Sequence, residues 1–246
     1  MYNYQILVEY DGTKFVGWQI QKNGLSIQEI LQKAIRKITK SKPSIFGSGR
    51  TDAGVHSVGQ SAHFKIKNRI KNLKNFTKSI NFFISKYSIS VLKTVKKPIN
   101  FHARHSAVKR TYKYYIINRK SPLSLDKNRA WHVKKKLDIK LMQQGAKLLK
   151  GTRDFSTFRS SSCGAKSPIK TIEIVRIKKI SKKIEITFTS KSFLQQQVRS
   201  MVGCLKYLGE NKWSLKYFKN SLISKKRSMC APPAPACGLY LYKVNY

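Results

Sequence analysis

The residues able to do chemistry concentrate in one stretch. Gly47-Ser48-Gly49-Arg50-Thr51-Asp52-Ala53-Gly54-Val55-His56 packs three glycines, a guanidinium, a carboxylate and an imidazole into ten residues. A carboxylate or imidazole can move protons, a carboxylate can also attack carbon, and a guanidinium can hold an anion. The stretch is not a P-loop, because no Gly-Lys-Ser/Thr follows at the required spacing. It also breaks the dinucleotide fingerprint, with Asp52 standing where glycine is needed. A phosphate would be repelled by that carboxylate. Spacing alone leaves two readings: a tight turn in which Asp52 caps its own backbone, or a positioned nucleophile or base. Scarcity favours the second, since only 10 Asp and Glu face 51 Lys and Arg, and one of those acids stands here beside an arginine.

The charge balance narrows the partners. A formal net charge of +41 implies strong self-repulsion without a polyanion, and nucleic acid is the natural one. Lys, Ile and Asn are abundant throughout, which a base-composition bias would also produce. At 41% hydrophobic residues, with 12 Tyr, 12 Phe and 3 Trp, the 246-residue chain is expected to fold as one large domain or two small ones. Met1 to Val8 carries no secretory pattern and no apolar run approaches a membrane span, so a cytoplasmic protein is expected. Cys163, Cys204, Cys230 and Cys237 are too scattered for a zinc finger or a disulfide framework and read as free thiols. His102 and His105 come nearest to a metal-ligand pair, and neither a metal nor another cofactor is expected.

Elements that could position the stretch follow from periodicity. Tyr4 to Tyr10 reads as a strand closed by Asp11-Gly12. Ser26-Ile27-Gln28-Glu29 is a capping box, and Ile27, Ile30, Leu31, Ala34, Ile35 and Ile38 share one face of the helix that follows. Strands near 44–46 and 60–66 flank the glycine-rich stretch, followed by a helix over 72–81 and a strand over 89–95. The second half reads as strands at 108–118 and 130–133, a helix over 138–150 stopped at Gly151, strands at 172–180 and 184–190, a helix over 194–208 and a last strand at 239–244. The β-α-β-β-α-β order suggests an α+β fold with helices packed on one face of each sheet. The expected domains are residues 1–106 and 107–246.

The stretch Gly49-Arg50-Thr51-Asp52-Ala53-Gly54-Val55-His56 resembles the signature of the bacterial tRNA pseudouridine synthase A family. Further blocks are similar in the same order. They are Tyr10-Asp11-Gly12 with Phe15 and Gly17-Trp18-Gln19, then Ser26-Ile27-Gln28, Gly59-Gln60 and His63-Phe64. Phe101-His102-Ala103-Arg104, Arg110-Thr111-Tyr112-Lys113-Tyr114 and Asp154-Phe155-Ser156-Thr157-Phe158-Arg159 follow. Phe193-Leu194 with Val198-Arg199, Val202-Gly203 and Gly238-Leu239-Tyr240-Leu241 complete the run. The resemblance implies two similar α/β domains, each an antiparallel sheet with helices on one face, the sheets lining a central basic cleft. It also implies a homodimer, tRNA as partner, and uridines 38 to 40 of the anticodon stem-loop as substrates.

Pseudouridine formation breaks the bond between ribose and uracil nitrogen, turns the base over and rejoins it through carbon, with no redox change. The resemblance gives the essential task to Asp52, as a covalent nucleophile or as a base that removes a ribose proton. Either needs the ionised carboxylate, which a guanidinium favours. Arg199 is the family's candidate for that partner and Tyr112 for an aromatic platform under the extruded base. Arg50 could fill the gap left by that base, and Arg104 and Arg159 are candidate RNA contacts. Relatives often carry His or Met where this chain has Gln195-Gln196-Gln197, so no histidine-assisted step is expected there.

Overall fold

Ser26 starts the first helix as its capping box requires. Its hydroxyl accepts the Glu29 N–H at 3.2 Å, α1 runs over Ile27–Thr39, and Lys40 ends it in the left-handed region at φ 54°. Ile27, Ile30, Leu31, Ala34 and Ile35 are all buried. The computed structural model describes residues 1–246, and they divide into two compact units, Met1–Val108 with Tyr240–Tyr246, and Lys109–Leu239.

In the first unit β1 (Tyr2–Tyr10) lies between β4 (Ile89–Lys97) and β3 (His56–Ile66), antiparallel to both. The short β2 (Ile45–Gly47) pairs with the far end of β3, setting Gly47 opposite Ala62. Alternation sends Tyr4, Ile6, Val8 and Tyr10 of β1 into the same core as Ala62, Phe64 and Ile66 of β3. That core is closed by α1 and by α2 (Leu73–Ile84), which contributes Phe76, Ile80 and Ile84 and begins at an Asn72 cap. Each fully buried side chain of this size stabilises by about 1.5–3 kcal/mol.

The second unit is a sheet in the order β5 (Lys109–Asn118), β9 (Lys183–Ser190), β8 (Ile169–Ile180) and β7 (Gly151–Asp154), antiparallel throughout, with β6 (Trp131–Val133) parallel to β5. The helix α3 (Ile139–Leu149) packs against β8 and against α4 (Gln197–Gly209) and α5 (Leu215–Ser224).

Four elements differ from the sequence reading, among them β7 (Gly151–Asp154), a short strand where only a helix stop at Gly151 was expected. α4 starts at Gln197 instead of residue 194, because Gln196 sits at φ 60° and the Leu194 N–H bonds the Gln197 side chain at 2.8 Å instead of entering the helix. α5 was not expected, since its ten residues bury only Phe218, Ser221 and Leu222 and give little periodicity. The last strand, β10 (Leu239–Asn245), follows the second half in sequence, yet Tyr240 and Leu241 pair in parallel with His56 and Ser57 of β3.

Candidate active site

The loop carrying Asp52 spans the gap between β2 and β3, so its ends are fixed by one pair of neighbouring strands. Its interior is fixed by polar clasps. Ser48 N–H donates to Ser61 O at 2.7 Å and Ser48 Oγ to Gln60 Oε1 at 2.7 Å, while Gln60 Nε2 donates to Gly49 O at 2.8 Å. Thr51 is buried with its hydroxyl 2.8 Å from Tyr10 Oη, and its carbonyl accepts the Trp18 N–H at 3.1 Å. Val55 N–H closes the turn on Asp52 O at 3.2 Å, and Gly54 N–H reaches Phe15 O at 3.3 Å. Main-chain bonds therefore close the turn around Asp52.

Gly17 makes this crossing possible. It sits at φ +109°, and a Cβ there would lie 2.4 Å from Thr51 O, so no side chain fits. The segment 12–18 and the Asp52 loop therefore approach backbone to backbone.

His56, the last polar group of the motif, serves the scaffold. It is buried, its ring stacks on Tyr240 with centroids 4.6 Å apart, and its Nδ1 accepts the Gly12 N–H at 3.0 Å. Asp11 Oδ1 lies 3.2 Å from the same nitrogen.

Arg50, two residues before Asp52, is exposed and its Nε donates to Gln19 Oε1 at 3.2 Å. Arg104 is exposed on a turn that His102 holds: His102 Nδ1 accepts the Arg104 N–H at 3.1 Å, and His102 N–H donates to Ser106 Oγ at 3.0 Å. Beside this turn His102 and His63 lie with ring centroids 4.5 Å apart, and Phe46 stacks on His63 at 5.3 Å. Burial, and then the neighbouring His102, push the His63 imidazole down to about 4. Burial, with the neighbouring His105 and Arg104, lowers His102 as well.

Tyr112, Arg159 and Arg199 belong to the second unit, and the segment Phe193–Gln197 links them. Tyr112 lies on the buried face of β5 with Tyr114, and Phe193 meets its ring edge-on with centroids 5.3 Å apart. Gln195 O accepts the Ser160 N–H at 3.1 Å, and the Gln195 N–H reaches Cys163 Sγ at 3.4 Å. Those two bonds hold the loop that Arg159 braces through Cys163 O and, at 2.9 Å, Ala165 O. Arg199 stands in the first turn of α4. Its Nε donates to Ala234 O at 2.8 Å, and its own carbonyl accepts the Ala234 N–H at 2.9 Å. Engaging Nε fixes the plane of the guanidinium, so the directions of its terminal N–H groups are set.

Sequence reasoning passed over the residues that do this bracing. Gln60, Tyr10 and Trp18 entered only as strand ends or parts of matched blocks, although each contacts the Asp52 loop. Arg110 did likewise, yet it is buried and donates to Lys191 O. A polar residue inside an apolar strand, such as Gln60 in β3, was the available signal. No group of three or more His, Cys, Asp or Glu could hold a metal ion, and no helix is long and apolar enough to cross a membrane.

The family model described as tRNA pseudouridine synthase matches residues 6–106 and 146–246. Over all 246 residues the chain is 61% identical to "tRNA pseudouridine synthase A" of Pelagibacter ubique, covering 100% of both chains. It is 42% identical to the protein of that name from Parvibaculum lavamentivorans, again over 100% of both, and 44% identical to that of Paramagnetospirillum magneticum, over 96% of the relative. A solved Cbf5-Nop10-Gar1 complex shows a likeness of TM-score 0.32 at 10% identity, over 82% of this chain and 53% of that one. With a braced acidic loop inside a motif that the family model spans and full-length relatives at this identity, the chain belongs to the tRNA pseudouridine synthase family, whose members are isomerases.

Proposed function

We propose that this protein converts uridine to pseudouridine in tRNA, at positions 38 to 40 of the anticodon stem-loop, with Asp52 as its essential acid. Family membership over the whole chain, together with an Asp52 loop whose backbone is clasped by Ser48, Gln60 and Tyr10 and by main-chain bonds, carries the reading.

The reaction needs three things from the protein. The bond from ribose C1′ to uracil N1 must break, which Asp52 promotes either by attacking covalently or by taking a ribose proton. The base must turn over and bond through C5, after which the C5 hydrogen leaves to solvent and N1 regains a proton. Atoms and electrons balance without a co-substrate. In this reading Arg199 keeps Asp52 ionised, and Tyr112 stacks on the extruded base, an interaction of about 1–3 kcal/mol. Arg50 occupies the vacated place in the RNA stack, and Arg104 and Arg159 bind the backbone. The net charge of +41 suits a polyanionic substrate. The working form is a cytoplasmic homodimer.

Loss of the C5 hydrogen supplies the assay. Incubation with tRNA carrying 5-tritiated uridine is expected to release tritium in proportion to pseudouridine formed. Tight binding of that tRNA without release would make the chain an RNA-binding protein instead of an enzyme.

A further inference from the structure

A second reactive pair lies in the second unit and is not used in the proposed reaction. Cys204 on α4 and Cys230 face each other with Sγ atoms 3.5 Å apart, both as free thiols. The sequence separates them by 26 residues, so nothing local brings them together.

What holds them in register is the proline-rich strap that Cys230 opens, Ala231-Pro232-Pro233-Ala234-Pro235-Ala236. Ala231 N–H donates to Cys204 Sγ at 3.3 Å, and Ala234 clasps Arg199 through both its N–H and its carbonyl. Between these anchors the strap touches the helix backbone: a Cβ at Gly203 would lie 2.1 Å from Pro232 O. The two sulfurs are therefore fixed from both sides.

Their surroundings are unequal. Cys204 is fully buried, whereas Cys230 is partly exposed. Arg227, three residues before Cys230 and bonded to Ser200 Oγ at 3.0 Å, places a positive charge beside it. The hydrogen bond from the Cys204 thiol, with help from that guanidinium and Ser200, holds Cys230 below the usual thiol range despite burial. The same hydrogen bond and burial push Cys204 up. Cys230 is the more exposed and the more readily ionised sulfur, and Cys204 lies protected behind it.

We propose that Cys230 and Cys204 form a peroxide-sensitive thiol pair that closes to a disulfide, fastening the proline-rich strap to α4. The Cys230 thiolate attacks one oxygen of hydrogen peroxide, the O–O bond breaks, and the departing hydroxide takes a proton to become water. The resulting sulfenic acid is attacked by Cys204 sulfur, which gives up its proton as the second water leaves. Two thiols and one peroxide yield one disulfide and two waters. Closing the pair requires the sulfurs to approach to about 2 Å, a movement within reach of side-chain rotation.

The full chain, exposed to hydrogen peroxide and then alkylated, tests this by peptide mass. The expected product is a linked peptide pair that has lost both thiol hydrogens at Cys204 and Cys230, with Cys163 and Cys237 still alkylated and the link reversed by dithiothreitol. In Cys204→Ser the reaction should stop at a Cys230 sulfenic acid that dimedone captures. If Cys163 or Cys237 oxidises while Cys204 and Cys230 remain alkylatable, or if Cys230 in Cys204→Ser ignores dimedone, the proposal fails. The wild-type reading needs no variant to fold.

Discussion

The Asp52 loop and the start of α4 solve the same problem, aiming one charged side chain, with different local structure. The loop is held redundantly. Strand pairing fixes its ends, and Ser48, Gly49, Thr51, Asp52 and Gly54 each contribute a hydrogen bond to the clasp. Arg199 is clasped by an irregular strap, in which Ala234 provides it with both a donor and an acceptor. Redundant bracing tolerates the loss of a contact.

The contrast predicts where substitutions hurt. Arg199→Lys keeps a positive charge but loses Nε, the atom bonded to Ala234, and the planar fork. Turnover of tRNA uridine should fall by about 100-fold or more while thermal stability changes little; near-native turnover would remove Arg199 from the reaction. Gln60→Ala strips the loop of two clasps and leaves Gly49 O without its donor. Unfolding in urea should show a loss of about 1–3 kcal/mol, with a smaller effect on turnover than Arg199→Lys. An equal or larger drop in turnover would mean that the loop bracing is not redundant.

A smaller effect separates scaffold from site. His63 is neutral in the folded protein and takes a proton only near about 4, whereas in the unfolded chain it does so near 6.5. The unfolded state therefore binds more protons between those values, so stability is fully present above about 6.5 and is lost as pH falls toward 4, by an amount of the order of 2 kcal/mol. Urea unfolding from pH 7.5 to 4.5 should show that slope, and His63→Gln should flatten it. With only 10 acids in the chain, few carboxylates can mask the signal. An unchanged slope in the variant would assign the loss elsewhere.

Legibility in the sequence followed the same division. The Asp52 loop was conspicuous because its parts are contiguous, and α1 because a capping box and five buried apolar positions repeat one period. The braces were not legible: Gln60 meets Gly49 from 11 positions away and Tyr10 meets Thr51 from 41, distances at which spacing carries no geometric information. Arg199 looked like any surface helix residue, because its partner lies 35 positions on in a segment without periodicity. The start of α4 was misplaced because Gln196 adopts a left-handed backbone that no glycine or asparagine announces. The strand β10 follows the second half in order yet pairs with β3, a return that element order alone does not encode.

The central claim rests on one carboxylate. Asp52→Asn keeps the size of the side chain and one acceptor oxygen, and main-chain bonds from Val55 and Gly54 hold the loop around it, so the variant should fold and bind tRNA as the native protein does. Measured side by side, its tRNA affinity should match wild type while tritium release from 5-tritiated uridine falls by about 100-fold or more. Release at a near-native rate with binding intact would contradict the assignment of Asp52 as the group that performs the isomerisation.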